Sequence, residues 1–266
     1  MSTILDRIVA QRRKDVEVAK AHLALPELER QAGEAATPID IVTRLRAEGD
    51  MALIAEVKRA SPSKGDIAPG IDAAEQALAY AHAGAAGISI LTEPTWFKGS
   101  LDDLASARAA LEQLGDDRPA ILRKDFIFDP YQVYEARRSG ADSLLLIVAI
   151  LDDSALAELL ALSRELGMEP LVEVNNSEEM ERAMGVGARL VGINNRDLRD
   201  FNVDLGTTER LATLARKDVL LAALSGISSH EDVERFRAAG AGAVLVGEAL
   251  MRAEDPAARV RELVGR

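Results

Sequence analysis

Gly84-Ala-Ala-Gly-Ile-Ser-Ile-Leu91, Gly140-Ala-Asp-Ser-Leu-Leu-Leu-Ile147, Gly187-Ala-Arg-Leu-Val-Gly-Ile193 and Gly242-Ala-Val-Leu-Val246 share one layout: a helix end, a Gly-Ala step and a short apolar run. Glycine takes the left-handed conformation that ends a helix at no Cβ cost. The runs that follow are too short for helices but suit strands buried on both faces. Each copy therefore reads as helix, turn and parallel strand, and the recurrence is an internal repeat. Four further runs fit the alternation: Met51 to Val57, Ala120 to Phe126, Pro170 to Val174 and Val219 to Leu224. The stretches between them are amphipathic, with helix N-caps expected at Asp72, at Asp129 ahead of Pro130, and at Ser229.

Eight strands alternating with helices need crossover connections, and closing the sheet leaves no edge exposed. The expected fold class is α/β, a (β/α)8 TIM barrel, preceded by a helical extension over residues 1–49, with the barrel over 50–266. Ile4, Leu5, Ile8 and Val9, then Leu25 and Leu28, then Ile41, Val42 and Leu45 recur at helical spacing, so the extension is expected to pack on one end of the barrel. No Ser-, Gly- or Pro-rich linker divides the chain, and one structural domain is expected.

Composition narrows the function classes. The 266 residues include no cysteine, which removes disulfides, thiolate nucleophiles and cysteine-held metal centres and points to a reducing compartment, the cytoplasm. A formal net charge of −12 argues against nucleic-acid and anionic-membrane partners. No apolar run approaches the ~20 residues a bilayer requires, and the N-terminal residues do not read as an export signal. Nothing in the sequence sets the oligomeric state; a monomer is the working expectation.

In such a barrel, catalytic groups sit where strands end and the following loops begin. The side-chain period of 2 puts Glu56 and Lys58 of the first strand on one side, facing the mouth. Lys124 ends the third strand with Phe126 on the same side, Glu173 ends the fifth, and Asn194 with Arg196 ends the sixth. One such pair could be a structural ion pair. Five groups on four strand ends point to proton-transfer chemistry. Strands seven and eight lead into Ser225-Gly226 and Gly247-Glu248, glycine turns whose free N–H groups near helix N-termini suit a phosphate. Lys58 and Ser61 on the adjoining first strand favour that reading.

Other motifs carry less. Gly185-Val-Gly187 and Gly240-Ala-Gly242 imitate dinucleotide loops but precede strands, so they are helix stops and no nicotinamide or flavin is expected. His22, His82 and His230 avoid the strand ends, and no metal is expected. The pairs Asp102-Asp103, Asp116-Asp117 and Asp152-Asp153 are expected to be solvated caps.

Ile54-Ala-Glu-Val-Lys-Arg-Ala-Ser-Pro-Ser-Lys-Gly65, Leu91-Thr-Glu-Pro94 with Phe97-Lys-Gly-Ser-Leu101, Leu122-Arg-Lys-Asp-Phe126, Pro170-Leu-Val-Glu173 and Gly192-Ile-Asn-Asn-Arg-Asp-Leu198 together resemble the indole-3-glycerol phosphate synthases, over nearly the whole chain. The resemblance implies a cofactor-free lyase of tryptophan biosynthesis that converts 1-(2-carboxyphenylamino)-1-deoxyribulose 5-phosphate into indole-3-glycerol phosphate with loss of carbon dioxide and water. It assigns Lys124 as the general acid of ring closure, Glu173 and Lys58 to the proton transfers of dehydration, Glu56 to orienting the lysines and Asn194 to binding substrate. The anthranilate ring is expected against Phe126 and Leu145, and the phosphate against Ser61, Ser225, Gly226, Gly247 and the backbone N–H of Glu248. One position departs from the pattern: Leu224 stands where the family usually has an acidic residue before Ser-Gly-Ile. An apolar wall there bears on the rate and on the surroundings of Lys58, so Leu224→Glu is expected to alter rate or substrate affinity. Two other readings stay open: a phosphoribosylanthranilate isomerase, which uses a cysteine this chain lacks, and a catalytically impaired or engineered barrel acting as a phosphosugar-binding scaffold.

Overall fold

A computed structural model describes residues 3–199 and 201–265. Among these, eight parallel strands close into a barrel: β1 (Ala52–Val57), β2 (Gly87–Leu91), β3 (Ala120–Lys124), β4 (Ser143–Ile147), β5 (Leu171–Val174), β6 (Leu190–Asn194), β7 (Leu220–Leu224) and β8 (Ala243–Val246), each hydrogen-bonded to its sequence neighbours and β1 to β8. Every residue of these eight barrel strands except Lys124 is buried, because helices cover the outside and side chains fill the inside. The two faces alternate as a period of 2 demands. Leu53, Ala55 and Val57 pack outward in the large cluster under the helices, while Ala52 and Ile54 join Leu122, Leu145, Leu171, Leu190, Leu220 and Leu245 inside.

In three copies the repeat works as its residues dictate: Gly84, Gly140 and Gly187 stand at φ of 96°, 88° and 76°, each ending a helix before the next strand. In the fourth the left-handed helix stop is Gly240, at 95°, two residues ahead of the expected Gly242. Asp72, Asp129 and Ser229 cap α4 (Ala73–His82), α6 (Pro130–Arg138) and α10 (His230–Ala238). The third strand stops at Lys124, two residues short of expectation, and Phe126 lies in the following loop.

The N-terminal segment departs from expectation. It does not pack on one end. Helix α1 (Ile4–His22) docks at the C-terminal mouth, where Arg12 donates from Nε and Nη2 to the two carboxylate oxygens of Asp125, each at 3.0 Å. Helix α2 (Leu25–Glu34) lies along α6. Helix α3 (Ile41–Arg46) closes the opposite end, where Ile41, Val42 and Leu45 pack with Ala52, Ala86, Ala120 and Ala243, and Arg46 donates to the Asp218 carbonyl at 2.6 Å. Each helix has its own apolar stripe, and only the alanine-lined floor admits the bulky trio of α3.

Asp125 itself is fully buried and accepts from Arg12, from Arg123 Nη2 at 3.0 Å, from the Thr92 hydroxyl at 2.7 Å and from the Phe126 N–H at 2.8 Å. Burial pushes its carboxyl up, but the Arg123 and Arg12 guanidinium groups and these donors outweigh it and hold it below the ordinary carboxylate range. A depressed folded-state pKa gives stability that is present above the unfolded value and lost as pH falls through the folded one. Denaturant unfolding should therefore show stability falling as the pH drops below the usual carboxylate range, with a shallower fall in Asp125→Asn; equal slopes would refute the assignment.

Candidate active site

At the C-terminal mouth the strand ends surround a cavity of about 470 Å³. Glu56, Lys58, Ser61, Lys124, Phe126, Leu145, Glu173, Asn194, Arg196, Leu224, Ser225, Gly226, Gly247 and Glu248 all line it, so the structure brings every residue singled out from the sequence to one place.

Two ion pairs organise the polar wall. Lys58 Nζ lies 2.8 Å from Glu56 Oε1, and Lys124 Nζ lies 3.7 Å from Glu173 Oε2. Burial pushes the Glu56 carboxyl up, yet the charges of Lys58 and Lys124 and the hydrogen bond from Lys58 hold it below its ordinary value. Glu56 is thus a fixed anion between two lysines. Glu173 is 3% exposed; its Oε1 accepts from Asn194 Nδ2 at 2.9 Å, while its Oε2 is buried with no hydrogen-bond donor. Asn194 is itself oriented, its Oδ1 accepting the Arg196 N–H at 3.0 Å and its carbonyl accepting Asn175 Nδ2 at 2.7 Å. Cations next to carboxylates that lack full hydrogen-bond complements are equipped to exchange protons with a bound molecule.

The opposite wall is apolar. Phe126 and Phe97 stand with ring centroids 6.1 Å apart, alongside Leu145, Ile147, Leu224 and Leu245. Leu224 points inward in register with Asn194 and is 2% exposed. It fits because its neighbour Gly192 lacks a side chain: a Cβ there would lie 2.7 Å from Leu224 Cδ1.

The third side is backbone. Ser225 and Gly226 are both left-handed, at φ of 65° and 81°, and both line the mouth. Gly247 precedes the short helix α11 (Glu248–Met251) and lies directly above the Glu56–Lys58 pair. A Cβ at Gly247 would collide with Glu56 Oε1 and stand 3.0 Å from Lys58 Nζ. Gly247→Ala should therefore spread the pair and lower turnover by about 10²-fold, on the scale of losing one positioned proton-transfer group; a variant with unaltered kcat would show that the pair tolerates displacement.

The sequence reading missed several residues here. Phe97, Leu198, Phe201 and Arg252 also line the cavity. The first three come from loops whose path no strand period sets, and Arg252 is signalled only by its i, i+4 spacing to Glu248, with which it pairs at 3.2 Å. Asp103, expected to be a solvated cap, instead takes both terminal nitrogens of Arg59 at 2.6 and 2.7 Å while also bonding Ser100. It is drawn in because Arg59, next to Lys58, faces away from the mouth and needs a partner. Among the described residues, no group of three or more His, Asp or Glu side chains could hold a metal ion, and no helix is long and apolar enough to cross a membrane.

Comparison with known proteins returns one family. The family described as indole-3-glycerol phosphate synthase matches residues 5–263. An indole-3-glycerol phosphate synthase of Roseiflexus sp. (strain RS-1) is 48% identical over 100% of this chain and 99% of its own length. A multifunctional tryptophan biosynthesis protein of Phanerodontia chrysosporium is 58% identical over 98% of this chain but only 34% of its own length. The chain thus spans about a third of the first curated relatives it matches. Among solved structures, thiamine phosphate pyrophosphorylase from Pyrococcus furiosus superposes with a TM-score of 0.60 at 17% identity, covering 82% of this chain and 95% of that one, which shows a shared fold.

Proposed function

We propose, from the premise that this chain belongs to the indole-3-glycerol phosphate synthase family, that its cavity closes, decarboxylates and dehydrates 1-(2-carboxyphenylamino)-1-deoxyribulose 5-phosphate to indole-3-glycerol phosphate. The observation that carries the reading is the meeting of Lys58, Lys124, Glu56 and Glu173 around one cavity with an apolar wall on one side and glycine turns on another. The anthranilate ring lies along Phe126 and Leu145. The phosphate lies against Ser61, Ser225, Gly226, Gly247 and the Glu248 N–H, and Arg196 faces the substrate beside Asn194.

The residues divide the chemistry between them. As the anilino ring carbon attacks the ribulose carbonyl, the Lys124 ammonium gives its proton to the carbonyl oxygen. The carboxylate then leaves as carbon dioxide, its bonding electrons returning to the ring. The new hydroxyl departs with a second proton while the former methylene carbon gives one up, and Glu173 and Lys58 conduct this pair of transfers. Glu56 orients the lysines, and Asn194 fixes Glu173. We read residues 1–49 and 50–266 as one structural unit working in the cytoplasm.

Incubating the protein with the substrate and following indole fluorescence tests the proposal, against a background limited to the single tryptophan, Trp96. Product formation is the expected result. A scaffold that binds phosphosugar without turning it over, a reading favoured only by Leu224 in the inner wall, would instead show substrate protection against unfolding and no indole.

A further inference from the structure

A second cavity, of about 400 Å³, lies behind the first. Ile147, Glu173, Asn194 and Leu198 line both, so these four side chains form the partition between them. The rear chamber is polar. Its wall carries Asn175, Asn176 and Glu179 at the start of α8 (Ser177–Gly185), Asp197 from the loop after β6, and Asp6 from α1. Of these four, Glu173 is the ionisable one, and its buried, unpartnered Oε2 lies 3.7 Å from Lys124 Nζ.

The reaction assigned above does not conserve protons. The substrate's carboxylate leaves as neutral carbon dioxide and its hydroxyl as neutral water, while the phosphate keeps its charge. Two protons are added, one to the carbonyl oxygen and one to the departing hydroxyl, and one is released from the methylene carbon. One proton must therefore be taken from solution in each turnover. Glu173 lines the front cavity, so substrate seated there would cover that side of it.

We propose that this proton arrives through the rear chamber, by way of Glu179 and water, at Glu173 Oε2, and passes from there to Lys124. The inference rests on the activity assigned above. Glu179 is placed for it: its Oε2 accepts the Asn175 N–H at 2.7 Å and its Oε1 accepts Asn176 Nδ2 at 2.7 Å, which hold the carboxyl at the chamber wall two residues beyond the start of α8. Burial and the negative charge of Glu173 push the Glu179 carboxyl up, while the donors from Asn175 and Asn176 oppose the rise. A carboxyl so raised holds a proton closer to neutral pH than a solvated glutamate does, as a relay requires. The other charged groups facing the chamber are Glu178 and Arg182 of α8 and Arg199 of the loop after β6.

Glu179 touches no substrate and acts through Glu173, so the test must read proton timing as well as rate. Enzyme in excess over substrate is mixed in stopped flow with a pH-indicator dye while indole fluorescence is recorded. The wild-type protein is expected to take up its proton in the same phase as indole forms. In Glu179→Gln the uptake phase should slow by up to about 10²-fold, the low end of what a positioned proton-transfer group contributes, with KM unchanged. Ala149→Phe provides a second variant, because Ala149 lines only the rear chamber and its replacement obstructs the route while keeping every carboxylate; it should give the same lag. Thermal melting checks that both variants fold. Wild-type uptake that follows product release, or uptake unaltered in both folded variants, overturns the inference. Absence of indole from the wild-type protein overturns the assigned activity instead.

Discussion

Replacing Lys124 by alanine is expected to lower kcat by about 10²- to 10⁴-fold, the range a positioned general acid supplies. Lys124 is the cation that two carboxylates share: it lies 3.7 Å from Glu173 Oε2, and its charge helps keep Glu56 ionised. Its removal takes away the proposed proton donor for ring closure and leaves both acids with less compensation. The loss should therefore fall on kcat, with KM changing far less because the phosphate turns and the apolar wall stay intact. Arginine should not restore the rate, since a guanidinium holds its proton too tightly to give it up near neutral pH. Steady-state kinetics on the folded variant provide the check; turnover within a few-fold of the parent would move the acid elsewhere.

The second large effect is on stability, at the other end of the barrel. Asp142, wholly buried before β4, accepts Arg118 Nη1 at 2.5 Å and Nη2 at 2.7 Å, the Ile121 N–H at 2.7 Å and the Ile39 N–H at 2.9 Å. It ties β3 to the connection between α2 and α3 and is, among the described residues, the acidic partner of Arg118. Asp142→Ala strands a buried guanidinium and two backbone donors, which should cost about 3–5 kcal/mol. For a chain of this size that is a fall in Tm of about 6–20 °C. Activity at low temperature should persist, because the pair lies far from the mouth. A melting temperature within about 2 °C of the parent, less than 1 kcal/mol shifts a chain this size, would show that the pair is dispensable.

Most of the barrel was legible because its signals are local. A Gly-Ala step before a short apolar run marks a helix stop and a strand, and the period of 2 then says which side chains face inward. The period picked out Glu56, Lys58 and Lys124, position at a strand end picked out Glu173 and Asn194, and their meeting in one cavity follows once the strands close. What escaped the sequence is set by loop paths and distant partners. Phe97 and Phe201 reach the cavity from segments with no periodicity. Asp103 looks like any first-turn acid until Arg59, 44 positions away, closes on it. The placement of α1 and α3 at opposite ends could not be read from stripes of similar apolar character, because what differs is the surface that receives them.

That placement has a mechanical consequence. The chain ahead of β1 runs the full height of the barrel, gripping the rim through Arg12 and plugging the base through Ile41, Val42 and Leu45. Between these ends α2 lies along α6, and Arg137 donates to the carbonyls of Ala35 and Ala36, so the segment is a strap fastened along its length. A single cut near residue 37 would therefore leave both pieces seated, the first on Asp125 and α6 and the second in the base.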